Sequence, residues 1–405
     1  MTTPTSQGSQ DDSLQEARRE FEQGLMHFEA ARFSDARRCF EASLALAPGR
    51  PSVLLNLGVT CFRMSEWANA RDYLQEASLA DPNRADSYAY LGLTYEALMQ
   101  WRLAVESLLQ ALKIAPGHAD LWLALGRCQL RLGDAKAGLA AFDHAIDADP
   151  NLAEAWSNRG SLLRELNRFD EAAVAFEKAL SLGADPELHG YYLASVRGTN
   201  APPAPPRRYV ETLFDSYAVE FQEHLVGELD YQVPQSLMRP LLEVPRRYAS
   251  VLDLGCGSGL LGQLVAPVAD AIDGVDLSRA MLAQARKRGV YGDLIHADLV
   301  SFLAQTTRRA ELVLAADVFI YLGELSAVFA SVRRILEPGG CFAFSVELLP
   351  QGRDFELLPS LRYAHSQSYI HALSKTSGFR VRESFTGVLR KEQGRPVLGL
   401  YAYLE

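Results

Sequence analysis

Through the first half of the chain, small and apolar positions return in a fixed frame. Gly24, Gly58, Gly92, Gly126 and Gly160 stand 34 residues apart, and so do Pro48, Pro82, Pro116 and Pro150. Ala36, Ala70, Ala104, Gly138 and Ala172 keep the same interval, and four residues after each comes Phe40, Leu74, Leu108, Phe142 or Phe176. Tyr88, Trp122 and Trp156 sit four residues ahead of their glycines. A unit of this kind reads as a helical hairpin that buries its one apolar face only by stacking on its neighbours. The glycine predicts a close approach of the two helices. The proline ends the second helix and turns the chain into the next unit. Five units span about residues 17–186. The fifth has Ala184 at the proline position and Pro186 two residues later, as suits an array terminus, and 185–198 reads as a capping helix.

Beyond this array the pattern changes. TNAPPAPPRR, residues 199–208, cannot continue a helix and predicts a stiff extended spacer. From 209 onward strands alternate with helices. Strands are expected at 250–254, 271–275, 294–297, 311–316 and 341–347, helices at 259–268, 277–289, 324–336 and 366–377, and a closing hairpin at 379–389 and 397–404 around KEQGR. That order predicts a doubly wound, mostly parallel seven-stranded sheet, whose ligands bind beyond the carboxyl ends of the strands. The expected organisation is a disordered tail over 1–14, the helical array over 15–198, the spacer over 199–208 and an α/β domain over 209–405.

Composition removes some functions. A net charge of −10 provides no electrostatic footprint for nucleic acid or anionic lipid. The N-terminus lacks an apolar signal segment and no apolar run is long enough to span a membrane, so a cytoplasmic protein is expected. Cys39, Cys61, Cys128, Cys256 and Cys341 are scattered, without histidines at ligand spacing, which predicts neither disulfides nor a metal site.

The chemistry concentrates after the first strand of the second half, in VLDLGCGSG, residues 251–259. Glycines there let backbone approach a ligand and aim N–H groups from a helix start. Gly257, Gly259 and Gly262 also fit the G-x-G-x-x-G fingerprint of dinucleotide enzymes. Asp253 at the strand end suits a cofactor bearing an ammonium and a sulfonium, and is a poor neighbour for a pyrophosphate. Asp276, ending the second strand, can accept both hydroxyls of a ribose, and fits either cofactor. Behind it come His296-Ala297-Asp298, LAADVFIYLG (314–323) and LEPGG (336–340).

That ordered set resembles the class I methyltransferases that use S-adenosylmethionine, over about residues 209–405. The resemblance implies that Gly255, Gly257 and Gly259 line the methionine part of the cofactor and that Asp253 orients it. It further implies that Asp276, followed by Leu277, binds the ribose. Asp298 beside Leu299 would reach the adenine, and Asp317 would face the methyl-transfer site. Asp317 is followed by Val318-Phe319-Ile320 rather than a [DN]-P-P-[FYW] motif, which counts against relatives that methylate DNA adenine or glutamine amides.

Two flanking segments read as substrate elements. Phe214, Tyr217, Phe221 and Leu225 recur as one face of an amphipathic helix, similar to the lid of methyltransferases acting on quinone precursors or malonyl-carrier protein, with Tyr217 and His224 placed to close over the cofactor. In LRYAHSQSYI (361–370), Arg362 could hold an anionic group on the acceptor and His365 could take its proton.

The N-terminal half resembles the tetratricopeptide repeat, so the whole chain is similar to bacterial proteins joining such repeats to a class I methyltransferase domain: an α-helical solenoid followed by a Rossmann-like α/β domain. The resemblance implies a groove lined by the first helix of each repeat, holding a protein or peptide. Phe21, Leu55, Ala89, Leu123 and Ser157, with Leu25, Val59, Leu93, Arg127 and Ser161, occupy the groove positions. They lack the lysines and asparagines of a carboxylate clamp, and leave a mostly apolar groove with Arg127, Arg131 and Arg164 toward one end. Recruitment of a protein or carrier-bound acceptor is the expected use. The alternatives are a small-molecule methyltransferase, quinone-like or carboxylate, whose repeats serve assembly, and a non-catalytic scaffold. The sequence fixes neither the acceptor nor the oligomeric state.

Overall fold

A computed structural model describes residues 7–199, 201–217, 231–350, 352–392 and 394–405. The chain divides into two compact units, Met1–Ala184 and Asp185–Glu405.

In the first unit the helices pair as hairpins, α1 (Gln7–Glu29) with α2 (Phe33–Leu46), α3 (Pro51–Arg63) with α4 (Trp67–Ala80), α5 (Ala85–Ala97) with α6 (Trp101–Ile114), α7 (Ala119–Arg131) with α8 (Ala135–Ala148), and α9 (Ala153–Glu165) with α10 (Phe169–Ser181). The recurring glycine is a socket. A methyl group on Gly126 would lie 2.4 Å from the Phe142 ring, and Gly24, Gly58, Gly92 and Gly160 meet Phe40, Leu74, Leu108 and Phe176 in the same way. All five of these large side chains are fully buried. The four prolines fall two residues beyond α2, α4, α6 and α8, and Trp122 and Trp156 donate their indole N–H groups to the carbonyls of Pro116 and Pro150 at 2.8 and 3.0 Å. A further position keeps the period unforeseen. Ala31, Ser65, Met99, Gly133 and Asn167, in the turn inside each hairpin, all have φ between 56° and 81°.

The groove reading changes in detail. Leu55 and Leu123 are buried within the stack, so they do not line an open surface. Arg127 is neutralised by Glu96 at 2.9 Å and Glu154 at 3.1 Å, and Arg131 lies over the Trp101 ring.

In the second unit β1 (Val251–Leu254) lies between β2 (Ile272–Asp276) and β4 (Ala310–Ala315). β3 (Leu294–His296) pairs with β2, and β5 (Leu336–Leu348) with β4, all in parallel. β9 (Arg395–Leu404) joins β5 antiparallel, Phe342 facing Leu404, and β8 (Val381–Glu392) pairs with β9. These are the seven expected strands. A short antiparallel pair, β6 (Phe355–Leu357) and β7 (Tyr363–His365), extends the sheet to nine strands, with β7 lying parallel to the end of β5. Its strands are three residues each, too short to show a period in sequence.

Alternation along the strands sends side chains to two cores. Leu252, Leu254, Phe342 and Phe344 join Phe329 and Val332 of the helix Ser326–Ile335 on one face. Val251, Leu312, Cys341 and Tyr401 join Leu237 and Leu241 of the helix Val233–Leu242 on the other. Each fully buried large apolar side chain contributes about 1.5–3 kcal/mol.

The helix read as the array's cap, α11 (Pro186–Arg197), belongs to this second unit. Tyr191 and Ala194 pack with Leu357, Leu361 and Tyr363, and the Tyr191 hydroxyl donates to the Leu361 carbonyl at 2.6 Å. The proline segment is likewise docked. Proline nitrogens carry no hydrogen, but their carbonyls still accept. The Pro203 carbonyl takes the Gly323 N–H at 2.8 Å, and that of Pro202 takes the Tyr363 hydroxyl.

Candidate active site

The carboxyl ends of the strands open into a cavity of about 410 Å³. Its floor is the loop after β1, where Gly255, Gly257 and Gly259 have φ of 64°, 52° and 81°. A side chain on Gly257 would meet nothing within 4 Å, so the loop leaves open space above that residue. Gly262, the residue that completes the dinucleotide fingerprint, has another duty. A methyl group there would stand 2.3 Å from the Tyr291 hydroxyl, so this glycine admits a ring rather than a phosphate.

Tyr291 was not foreseen. Its hydroxyl donates to Asp253 Oδ2 at 2.7 Å. Asp253 is 1% exposed and lines the cavity, and burial pushes its carboxyl up to about 7. Asp276 accepts the Gly257 N–H at Oδ2 and the Ser278 N–H at Oδ1, both at 2.8 Å, tying the end of β2 to the loop. Burial raises its carboxyl as well, against those two N–H groups. Asp298 caps the helix Leu299–Gln305, taking the Ser301 N–H at Oδ1, and still lines the cavity with Leu277 and Leu299.

Asp317 also lines the cavity, and its φ of 56° is an unusual backbone state for a residue with a side chain. Its N–H donates to Ser345 Oγ, and both carboxylate oxygens accept from Arg390 at 3.2 Å. Arg390 is a hub. It reaches from β8 to Asp317, to Glu347 on β5 at 2.6 Å and to Glu392 at 2.8 Å. Arg362 lines the same wall, but its guanidinium already donates to Glu392 and lies 3.7 Å from Glu347. The group expected to hold an anionic acceptor is thus paired on one side by Glu392, while its Nε has no hydrogen-bond partner among the described residues.

His365 needs a correction. It is fully buried, does not line the cavity, and donates from Nε2 to the Gly323 carbonyl at 2.9 Å. Its ring stacks on Tyr369, and burial pushes it down to about 4, too weak a base for a neutral-pH proton transfer. The Tyr217 side chain and His224, read as parts of a lid, lie outside the described residues. The preceding turns of that helix, α12 (Arg207–Tyr217), do cover the cavity through Val210, Leu213 and Phe214. Asp215 on its other side accepts from Ser278 Oγ at 2.5 Å.

Arg390, Glu347, Glu392, Tyr231 and Tyr321 were missed because no local motif gathers them. They come from four separate places in the chain, with only Arg390 and Glu392 sharing a strand. The one available signal was Arg390 itself, a cation following the apolar pair Val388-Leu389 in a strand.

Residues 251–340 match a family model described as a methyltransferase domain, and residues 21–89, 100–162 and 153–183 match models of the tetratricopeptide repeat. A malonyl-[acyl-carrier protein] O-methyltransferase of Salmonella typhimurium is 27% identical over 194 residues, which cover 44% of this chain and 73% of the relative. One of Legionella pneumophila is 36% identical over 34% of this chain and 49% of its own length. A ubiquinone biosynthesis O-methyltransferase of Aromatoleum aromaticum is 30% identical over 24% of this chain and 42% of its own length. The chain thus spans from under half to about three quarters of the length of these relatives. Among solved structures, MamA from Desulfovibrio magneticus is 18% identical, covering 41% of this chain and 94% of its own, with a TM-score of 0.40. The chain joins tetratricopeptide repeats to an S-adenosylmethionine-dependent methyltransferase domain.

Proposed function

We propose that this protein transfers a methyl group from S-adenosylmethionine to an acceptor that its repeats recruit as a protein or carrier-bound group. The observation that carries the reading is that one cavity is lined at once by the glycine loop, Asp253, Asp276, Asp298 and Asp317. The cavity suits the cofactor. Gly257 leaves room above the loop, and the buried Ser258 Oγ has no hydrogen-bond partner of its own. In this reading Gly255, Gly257 and Gly259 cradle the methionine part and Asp253 meets its ammonium. Asp276, with Leu277 beside it, takes the ribose hydroxyls, and Asp298 and Leu299 hold the adenine. When bound, the cofactor supplies a methyl group on a sulfonium, already a good leaving group. The chain's task is then alignment and exclusion of water. Phe214 and Leu213 shield the site, and Asp317, oriented by Arg390, faces the incoming acceptor.

Calorimetry with S-adenosylmethionine tests the cofactor assignment. The wild type binds, and Asp276→Ala binds at least tenfold more weakly. Absence of binding by the wild type overturns the enzyme reading. Labelled methyl transfer into an extract lacking this protein then tests recruitment, with label expected on protein or carrier and not on free small molecules. Removal of the repeats should abolish that labelling and spare cofactor binding.

A small-molecule acceptor is the second reading, favoured by the likeness to a ubiquinone biosynthesis O-methyltransferase. A reducing, cytoplasmic setting accords with five cysteines that are all unpaired. Among the described residues no helix is long and apolar enough to cross a membrane.

A further inference from the structure

The part of the cavity lined by Asp317, Arg362, Arg390 and Glu392 has a chemical character of its own. Among the described residues, Asp317 and Glu392 in the lining and the buried Glu347 behind them face Arg362 and Arg390, three formal negative charges against two positive. All three nitrogens of the Arg390 guanidinium are committed to these carboxylates. Arg362 keeps an Nε without a hydrogen-bond partner among the described residues, but an anionic acceptor approaching it would meet the neighbouring carboxylates and their excess negative charge. Set into the same wall are two phenols, Tyr231 and Tyr321, and neither hydroxyl has a hydrogen-bond partner among the described residues, although both rings line the cavity. Burial raises both phenols well above their ordinary range, so they remain protonated and each oxygen keeps lone pairs to offer. Polar groups placed in this way without partners wait for a ligand's hydrogens. Apolar surface completes the wall, from Phe214, edge-on to Tyr321 at 5.5 Å, and from Ile320 and Leu322.

We propose that the methyl acceptor is an amine on an apolar or aromatic body, with its nitrogen received by the Tyr231 and Tyr321 hydroxyls in front of the acidic wall. This inference rests on the methyltransferase reading above. The ammonium form neutralises the excess charge on entry and donates to the two phenolic oxygens. Its proton passes to Asp317 or to water, which frees the nitrogen lone pair. The nitrogen–carbon bond then forms as the carbon–sulfur bond breaks with its electron pair left on sulfur, and the positive charge moves to the methylated nitrogen. Arg390 is a positioning residue in this scheme, since it holds Asp317 by both oxygens and touches no reacting atom.

The test uses the full chain saturated with S-adenosylhomocysteine, the demethylated cofactor, and titrates benzylamine, benzyl alcohol and benzoate by calorimetry. Benzylamine is expected to bind at least tenfold more tightly than benzoate, and more tightly than the alcohol. Glu392→Gln removes the excess charge and should narrow the amine-over-carboxylate preference by about tenfold, a ratio that a merely structural role would not move. Tyr321→Phe keeps the ring against Phe214, and should weaken benzylamine several-fold while leaving benzoate unchanged. Benzoate or benzyl alcohol binding as tightly as benzylamine, or no binding by any of the three, overturns the amine proposal. Failure of S-adenosylhomocysteine itself to bind overturns the methyltransferase reading instead, so the two failures are separable.

Discussion

Asp253 and His365 are both buried titratable groups, yet their pH signatures run in opposite directions. The Asp253 carboxyl, raised to about 7, is protonated in the fold where the unfolded chain has already ionised. Its contribution to stability is therefore present at low pH and lost as pH rises from about 4 to about 7. A ligand ammonium reverses that cost by favouring the ionised form. Affinity for S-adenosylmethionine should rise several-fold between pH 6 and pH 8, and Asp253→Asn should flatten the rise; calorimetry at the two pH values measures both. The His365 ring, lowered to about 4, stays neutral in the fold where the unfolded chain takes up a proton. Stability is lost as pH falls from about 6.5 toward 4, by up to about 3 kcal/mol, and His365→Gln should remove most of that loss in urea titrations at pH 7 and pH 4.5. The contrast shows where sequence reasoning reaches. Asp253, Asp276, Asp298 and Asp317 each end a strand or begin a helix, so local pattern places them on the cavity. His365 shares a short segment with Arg362, and nothing in that segment tells that Arg362, just ahead of β7, reaches the cavity wall while His365 within β7 enters the core. The hub at Arg390 depends on where β8 closes the sheet, which is long-range information.

At the scale of elements, the repeat hairpins and the close approach of their helices at each glycine were legible, because a period multiplies each weak signal by five. Their inner turns were not, because conformation recurs there while residue type does not. Ala31, Ser65 and Met99 adopt a left-handed state that Gly133 and Asn167 adopt at lower cost. Met99 is 72% exposed and has little packing to lose. Met99→Gly should therefore stabilise the repeat unit by about 0.5–1 kcal/mol, read as an increase in the urea midpoint; an unchanged or lower midpoint would show that the turn is not strained. The β6–β7 pair escaped notice for the complementary reason, since three-residue strands carry almost no alternation.

For the whole molecule, the array, the sheet and the cofactor loop could be read along the chain, while the assignment of α11 could not. Its amphipathic pattern fits a solenoid cap as well as it fits the surface of Leu357, Leu361 and Tyr363 where it lies. A fragment of residues 185–405 should accordingly melt well above one of residues 199–405. The shorter piece forfeits the fully buried Tyr191 and its bond to Leu361, a loss of about 3–5 kcal/mol, and thermal melts of the two fragments decide the matter. The glycine sockets carry a different consequence. Each one is filled from within its own hairpin, Gly126 by Phe142 and Gly58 by Leu74, never by a neighbour. Size matching is thus a private affair of each 34-residue block. A block can be duplicated or lost together with its own plug, and the reach of the array can lengthen or shorten by whole steps while the glycine–plug fit inside every remaining hairpin stays as it was.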